Sequence, residues 1–288
     1  MTITKPRFDR LNFKGVKFWL LRDDLLGEFN GNKARKLKYF LNADLSKYKS
    51  VVSHGSSQSN AMQSLSVFAK IKGLEFRYVV NYLNPNLKAS PVGNLKFALK
   101  NGMKLYESGA KNSDDRREFA LSLCDENSLF IEEGVAMKEA EYGFIDQAKD
   151  IENFANGAKF DIFLPSGTGT SAGYLAKHSK FRVFTCPTVG TKEYLKKQLD
   201  ELNLGENLEI LNPPKKYRYA QLRKEFIEIY KELLEETKVE FDLIYDPVGL
   251  LTLFTNLDKF ENEILYIHQG GLLGNISQLQ RYKDKEML

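Results

Sequence analysis

Cysteine is scarce in this chain. Cys124 and Cys186 are the only two among 288 residues, and no CxxC spacing occurs. That excludes a disulfide scaffold and a thiolate zinc centre, and no metal site is expected. Neither sign of charge is in excess, with 42 Lys and Arg against 38 Asp and Glu for a net +4. Lysines alternate with carboxylates almost everywhere, and no basic block is interleaved with aromatics. A nucleic-acid partner is therefore not expected. Long apolar runs are missing too. None approaches the ~18 residues of a spanning helix, so no membrane partner is expected. The first seventeen residues are polar and mixed, without the apolar core of a signal peptide. The reducing cytoplasm is the expected compartment.

What remains is an ordinary globular composition, 42% hydrophobic and 28% charged. The length suits one large or two modest domains, with enough chain for a sizeable core. Strands are expected over residues 16–21, 50–53, 76–80, 104–106, 128–131, 160–164, 181–186 and 264–268. Helices are expected from Ala61 to a stop at Gly73, then over 93–100, 143–154, from 174, over 193–202 and over 221–238. Asn84-Pro85-Asn86 reads as a turn, and Pro213-Pro214 as a break. This alternation implies parallel sheets covered by helices on both faces.

Four stretches could carry chemistry. In Gly31-Asn32-Lys33-Ala34-Arg35-Lys36 a glycine turn places Lys33 where an element begins. A lysine held there can lose solvent, drop its pKa and attack a carbonyl. Taken alone, a solvated surface lysine fits those six residues better. Residues 166–173, Ser-Gly-Thr-Gly-Thr-Ser-Ala-Gly, run from a strand into a helix. Three glycines and four hydroxyls in eight residues suit a bound phosphate. The stretch is neither a Walker loop nor GxGxxG. Ser56-Ser57-Gln58-Ser59-Asn60 precedes a helix, where it can cap that helix or cradle a carboxylate. His268-Gln269-Gly270-Gly271 ends a strand, a common border of ligand crevices. His268 itself reads as a structural hydrogen-bonder, His178 as a surface residue, and His54 as either.

Taken in order, Arg-Asp-Asp at 22–24, Gly-Asn-Lys-x-Arg-Lys-Leu, Gln-Ser-Asn, the Ser/Gly/Thr loop and His-x-Gly-Gly resemble the 1-aminocyclopropane-1-carboxylate deaminase/D-cysteine desulfhydrase family. That family belongs to the tryptophan-synthase-β-like, fold type II pyridoxal-phosphate enzymes. The resemblance runs from about residue 18 to residue 274. It implies two three-layer α/β/α domains with mainly parallel sheets. Residues 1–35 and 139–288 would bind pyridoxal 5'-phosphate, and residues 36–138 would form a smaller inserted domain. Lys33 would hold the cofactor and shuttle the α-proton. Gly167, Thr168, Gly169 and Thr170 would bind its phosphate, and Asn60 its phenolic oxygen. Ser59 would act on the substrate and, with the N–H groups of Asn60 and Ala61, take its carboxylate. Gln269 stands on the substrate side, where the family has a small residue or leucine. A small amino acid is the implied substrate and a homodimer the implied assembly. D-Cysteine, giving pyruvate, ammonia and sulfide, is preferred. The cyclopropane amino acid is the alternative, and a cofactor-binding homologue without catalysis is a third reading.

Two departures bear on substrate. The chain is short between Cys186 and Asp246. After Asp246-Pro247-Val248 the family continues with a tyrosine and a residue that contacts the pyridine nitrogen, whereas this chain has Gly249-Leu250. An apolar Leu250 against the ring would leave the pyridine neutral and a weaker electron sink. Such a ring suits β-elimination better than cyclopropane opening.

Overall fold

The computed structural model describes residues 5–29 and 31–288. Ten strands form two sheets: β1 (Phe8–Phe13), β2 (Val16–Arg22), β3 (Ser50–His54), β4 (Glu75–Val80), β5 (Lys104–Glu107), β6 (Ser128–Ile131), β7 (Phe160–Ser166), β8 (Arg182–Pro187), β9 (Leu208–Ile210) and β10 (Glu263–His268). The larger sheet has the order β1-β2-β10-β7-β8-β9, and the smaller β5-β4-β3-β6. All pairings are parallel except β1 with β2, which Lys14 and Gly15 join at φ 49° and 79°. Positive φ at both turn positions matches the twist of a two-residue hairpin.

Strand β7 is buried along its whole length, as a central parallel strand should be. Phe163 meets Phe18, Phe184 and Tyr266 on one face. Ile162 and Leu164 meet Ile151, Leu175 and Leu265 on the other. In the smaller sheet Val51, Tyr78 and Ile131 pack with Leu65 and Phe68, while Val52 and Val79 pack with Ala120 on the opposite face. Each sheet is therefore the middle layer of three, as expected. The smaller sheet draws only on residues 50–131.

Several boundaries differ from expectation. Asn84-Pro85-Asn86 opens a short helix, Pro85–Ala89, because the Asn84 side chain accepts the Asn86 N–H and Pro85 occupies the first helical turn. The long amphipathic helix begins only at Lys224, since Arg223 is extended. The helix after β7 starts at Thr170 rather than at Tyr174, so half of the glycine- and hydroxyl-rich motif is helical. Strands β1 and β9 and the helices Ser113–Ser122, Asp246–Thr255 and Leu273–Asp284 were not expected. Among the described residues no helix is long and apolar enough to cross a membrane.

Candidate active site

The carboxyl ends of β3, β6, β7 and β10 border one cleft between the two sheets. Crevices at such strand ends are where open α/β folds bind ligands. The cleft is lined by all four sequence motifs, through Lys33, Ser59, Asn60, Ala61, residues 166–171 and Gln269.

Gly31 shapes the first motif. Its φ is +57°, and a Cβ there would fall within the Gln269 backbone carbonyl. The Asn32 N–H donates to that same carbonyl at 2.9 Å. Asn32 also donates from its amide to Gln269 Oε1 (2.8 Å) and Ser171 Oγ (2.9 Å). Gln269 in turn donates to the Pro165 carbonyl at 2.6 Å, so its side chain ties the lysine turn to β7. From that anchored turn the Lys33 amine donates to Asn32 Oδ1 at 2.8 Å. Burial pushes this amine down to about 8, and the negative charge of Asp242 partly opposes the fall. Lys33 is half-buried and lines the cleft, so it does not stand on the open surface as the solvated-lysine reading required.

Lys36 adds a second amine that sequence reasoning passed over. It is buried, it lines the same cleft, and it donates to the Gly134 carbonyl at 2.9 Å. Among the described residues it makes no ion pair. Burial, and then the charge of Lys33, hold its pKa well below that of an ordinary lysine.

Gly169 sits at φ +74° directly before helix Thr170–His178. A Cβ on Gly169 would come within 2.9 Å of Leu195 and Leu199, so only glycine lets this turn lie on its backing helix. Thr168 and Thr170 share a hydroxyl hydrogen bond of 2.8 Å. Thr168 also lies 3.3 Å from the Cβ position of Gly134, close to the carbonyl that Lys36 holds. Helix N–H groups, two hydroxyls and an uncompensated amine therefore converge on one side of the cleft, and that donor set fits a phosphate ester.

Ser59 caps helix Asn60–Lys72, accepting the Ala61 and Met62 N–H groups at 3.1 and 3.3 Å. It also lines the cleft, so capping and ligand contact fall on one residue. The Asn60 Oδ1 accepts from Asn94 at 2.8 Å, which fixes the orientation of its amide. His268 is buried, with Nε2 2.7 Å from the Glu240 carbonyl and Nδ1 accepting the Gly270 N–H at 3.1 Å. It is structural, as read from the sequence.

The Leu250 expectation is overturned. Leu250 is buried in the hydrophobic core with Phe18, Phe184 and Tyr266, and it does not line the cleft. Gly249 is pressed against Pro165 and Tyr266. Tyr245 and Asp246 line the cleft instead. They follow Asp242-Leu243-Ile244, so a tyrosine and a polar residue after Asp-x-x are present, four residues upstream of Gly249-Leu250. Asp242 builds that turn, its Oδ1 accepting the N–H groups of Ile244 (2.9 Å), Tyr245 and Asp246 (3.4 Å). Burial raises Asp242 to about 6, against the pull of those N–H groups and of Lys33. Asp246 is raised further, by burial and by the neighbouring Asp242. It accepts from Tyr266 at 2.7 Å. The Tyr245 hydroxyl lies 3.4 Å from that of Tyr219, which also lines the cleft. Burial raises the Tyr245 phenol, so it keeps its proton at neutral pH, while Tyr219 stays partly exposed at the cleft. Tyr219 carried no sequence signal, since no motif surrounds it.

Comparison with known proteins agrees with this geometry. The chain is 25% identical to a Thermotoga maritima protein provisionally named 1-aminocyclopropane-1-carboxylate deaminase, over 93% of this chain and 92% of that protein. It is 26% identical to a Pyrococcus horikoshii protein of the same provisional name, over 94% and 88%. Among solved structures it is similar to one described as a homologue of that deaminase, with a TM-score of 0.83 and 22% identity, covering 95% of this chain and 90% of the other. No family model matches the chain.

Proposed function

We propose that this chain, built on the fold of the type II pyridoxal-phosphate enzymes, is a pyridoxal-5'-phosphate-dependent lyase or deaminase of a small amino acid. One observation carries the reading. A half-buried lysine with a lowered pKa, a glycine-threonine cradle at a helix start and a buried amine that has no ion-pair partner among the described residues meet in one cleft.

When bound, pyridoxal phosphate supplies an electron sink for charge developing at the substrate α-carbon. Lys33 supplies the amine for cofactor attachment and a base beside that carbon, since a pKa of about 8 leaves part of it unprotonated near neutrality. Gly167, Thr168, Gly169 and Thr170 hold the phosphate, with Lys36 as its counter-charge. Asn60 orients the phenolic oxygen. The Ser59 oxygen caps its helix while its proton remains able to donate to a substrate carboxylate, together with the N–H groups of Asn60 and Ala61. Gln269, on the substrate side, fixes the turn that aims Lys33. Asp246 is the acid available to the pyridine nitrogen.

D-Cysteine desulfhydration is the first reaction to assay. The electronic objection to cyclopropane opening rested on Leu250 and falls with it. Tyr245 and Asp246 in the cleft favour the cyclopropane amino acid as a second substrate. The test is a panel of D- and L-amino acids and the cyclopropane amino acid, scanned for 2-oxo acid release. Pyruvate from D-cysteine or β-chloro-D-alanine, or 2-oxobutanoate from the cyclopropane, supports the reading. Yellow holoprotein that releases no 2-oxo acid from any of them would leave a cofactor-binding homologue without catalysis.

A further inference from the structure

The smaller sheet presents its own strand ends to the cleft, and what stands there is a fixed ion pair. Glu133 follows β6 and lines the cleft, its side chain 41% exposed. Its Oε2 accepts from Arg116 Nη2 at 2.6 Å. Arg116 is only 11% exposed in its side chain and is anchored from behind, donating to Asn81 Oδ1 (2.6 Å) after β4 and to His54 Nδ1 (3.3 Å) at the end of β3. The guanidinium is thus held by three partners; both members of the pair line the cleft, and the carboxylate is the more exposed of the two. The other oxygen, Oε1, lies 2.9 Å from the Cβ position of Gly55. The Tyr78 hydroxyl crowds the same point, and Gly55 has φ +151°, so a side chain at Gly55 would displace this corner. Ser56, the next residue, and Ser59, one turn further on, line the cleft.

A carboxylate already paired with arginine has little net charge to attract a cation at range. It remains a directional acceptor. Resting on the amino-acid reading above, we propose that Glu133, held by Arg116, determines specificity by accepting a hydrogen bond from an uncharged O–H or S–H on the substrate's β-carbon. The chemical class selected is the β-hydroxy or β-thiol amino acids, over substrates whose β-carbon bears no donor.

Glu133→Gln tests this without changing size. Arg116 would draw the amide oxygen toward itself, turning the NH2 group to the cleft and replacing an acceptor by a donor. Serine and alanine of each enantiomer are titrated against the holoenzyme, and binding is followed by the cofactor absorbance change. In the wild type the better enantiomer of serine should bind about tenfold or more tightly than its alanine, the size expected for a hydrogen bond to a charged group. Glu133→Gln should lose that preference while alanine affinity stays within about twofold. Arg116→Lys, which removes the guanidinium that fixes the carboxylate, should weaken the preference without abolishing alanine binding. Equal affinities in the wild type, or a preference that Glu133→Gln leaves intact, would overturn the proposal. So would a parallel loss of both ligands in the variant, which marks a structural role. Turnover in the same samples separates the two readings. Wild-type protein with the preference but no 2-oxo acid release contradicts the lyase and keeps the specificity. Release without the preference does the reverse.

Discussion

Lys33 shows how much a single residue owes to its surroundings. Its type and its place after Gly31-Asn32 are plain in the sequence, but its acidity is set by burial that only the fold supplies. An ordinary lysine titrates near ~10.4. In cofactor-free protein, acylation of Lys33 should therefore reach half its limiting rate near pH 8, where exposed lysines remain protonated. The charge of Asp242 raises the Lys33 value, so Asp242→Asn should move that midpoint to lower pH. Peptide-resolved labelling across pH checks both, and a midpoint in the range of the exposed lysines would contradict the burial argument. The same scale explains the error at Leu250. The letters Asp246-Pro247-Val248 match the family's motif, yet the aspartate whose carboxylate shapes the turn is Asp242. Letters alone do not reveal which of two nearby aspartates accepts backbone N–H groups.

Helix Asn60–Lys72 was legible at both ends. Ser59 caps its start and Gly73, at φ +67°, closes it. A role for Ser59 in chemistry alone would leave Ser59→Ala at an unchanged melting temperature. The two capped N–H groups correct that expectation. Loss of the cap should cost about 1 kcal/mol and lower the melting point by roughly 2–4 °C. Because the residue also lines the cleft, turnover should fall with it; a variant that melts lower but turns over normally would reduce Ser59 to a cap. Other elements were not legible. Helix Asp246–Thr255 is an apolar run with two threonines and a glycine, which periodicity cannot tell from a buried strand. Helix Ser113–Ser122 is so polar that no apolar stripe marks it, although Arg116 on it anchors Glu133. Strand β9 has three residues, too few to show a period.

For the whole molecule, the alternation of strands and helices predicted parallel sheets covered on both faces, and two three-layer units are what the chain forms. Strand order was not legible. It depends on which buried faces meet, as when β10, last in sequence, enters between β2 and β7. That insertion brings Gln269 against Gly31 and so connects the last motif to the first. Each motif alone left a bland alternative open, and convergence in one cleft is what separates them. The central claim is that Lys33 carries the cofactor there. Reducing the yellow holoprotein with borohydride and mapping its peptides tests it most directly. The pyridoxyl group should be found on Lys33, and recovery on Lys36, Lys38 or any other lysine instead would contradict the account.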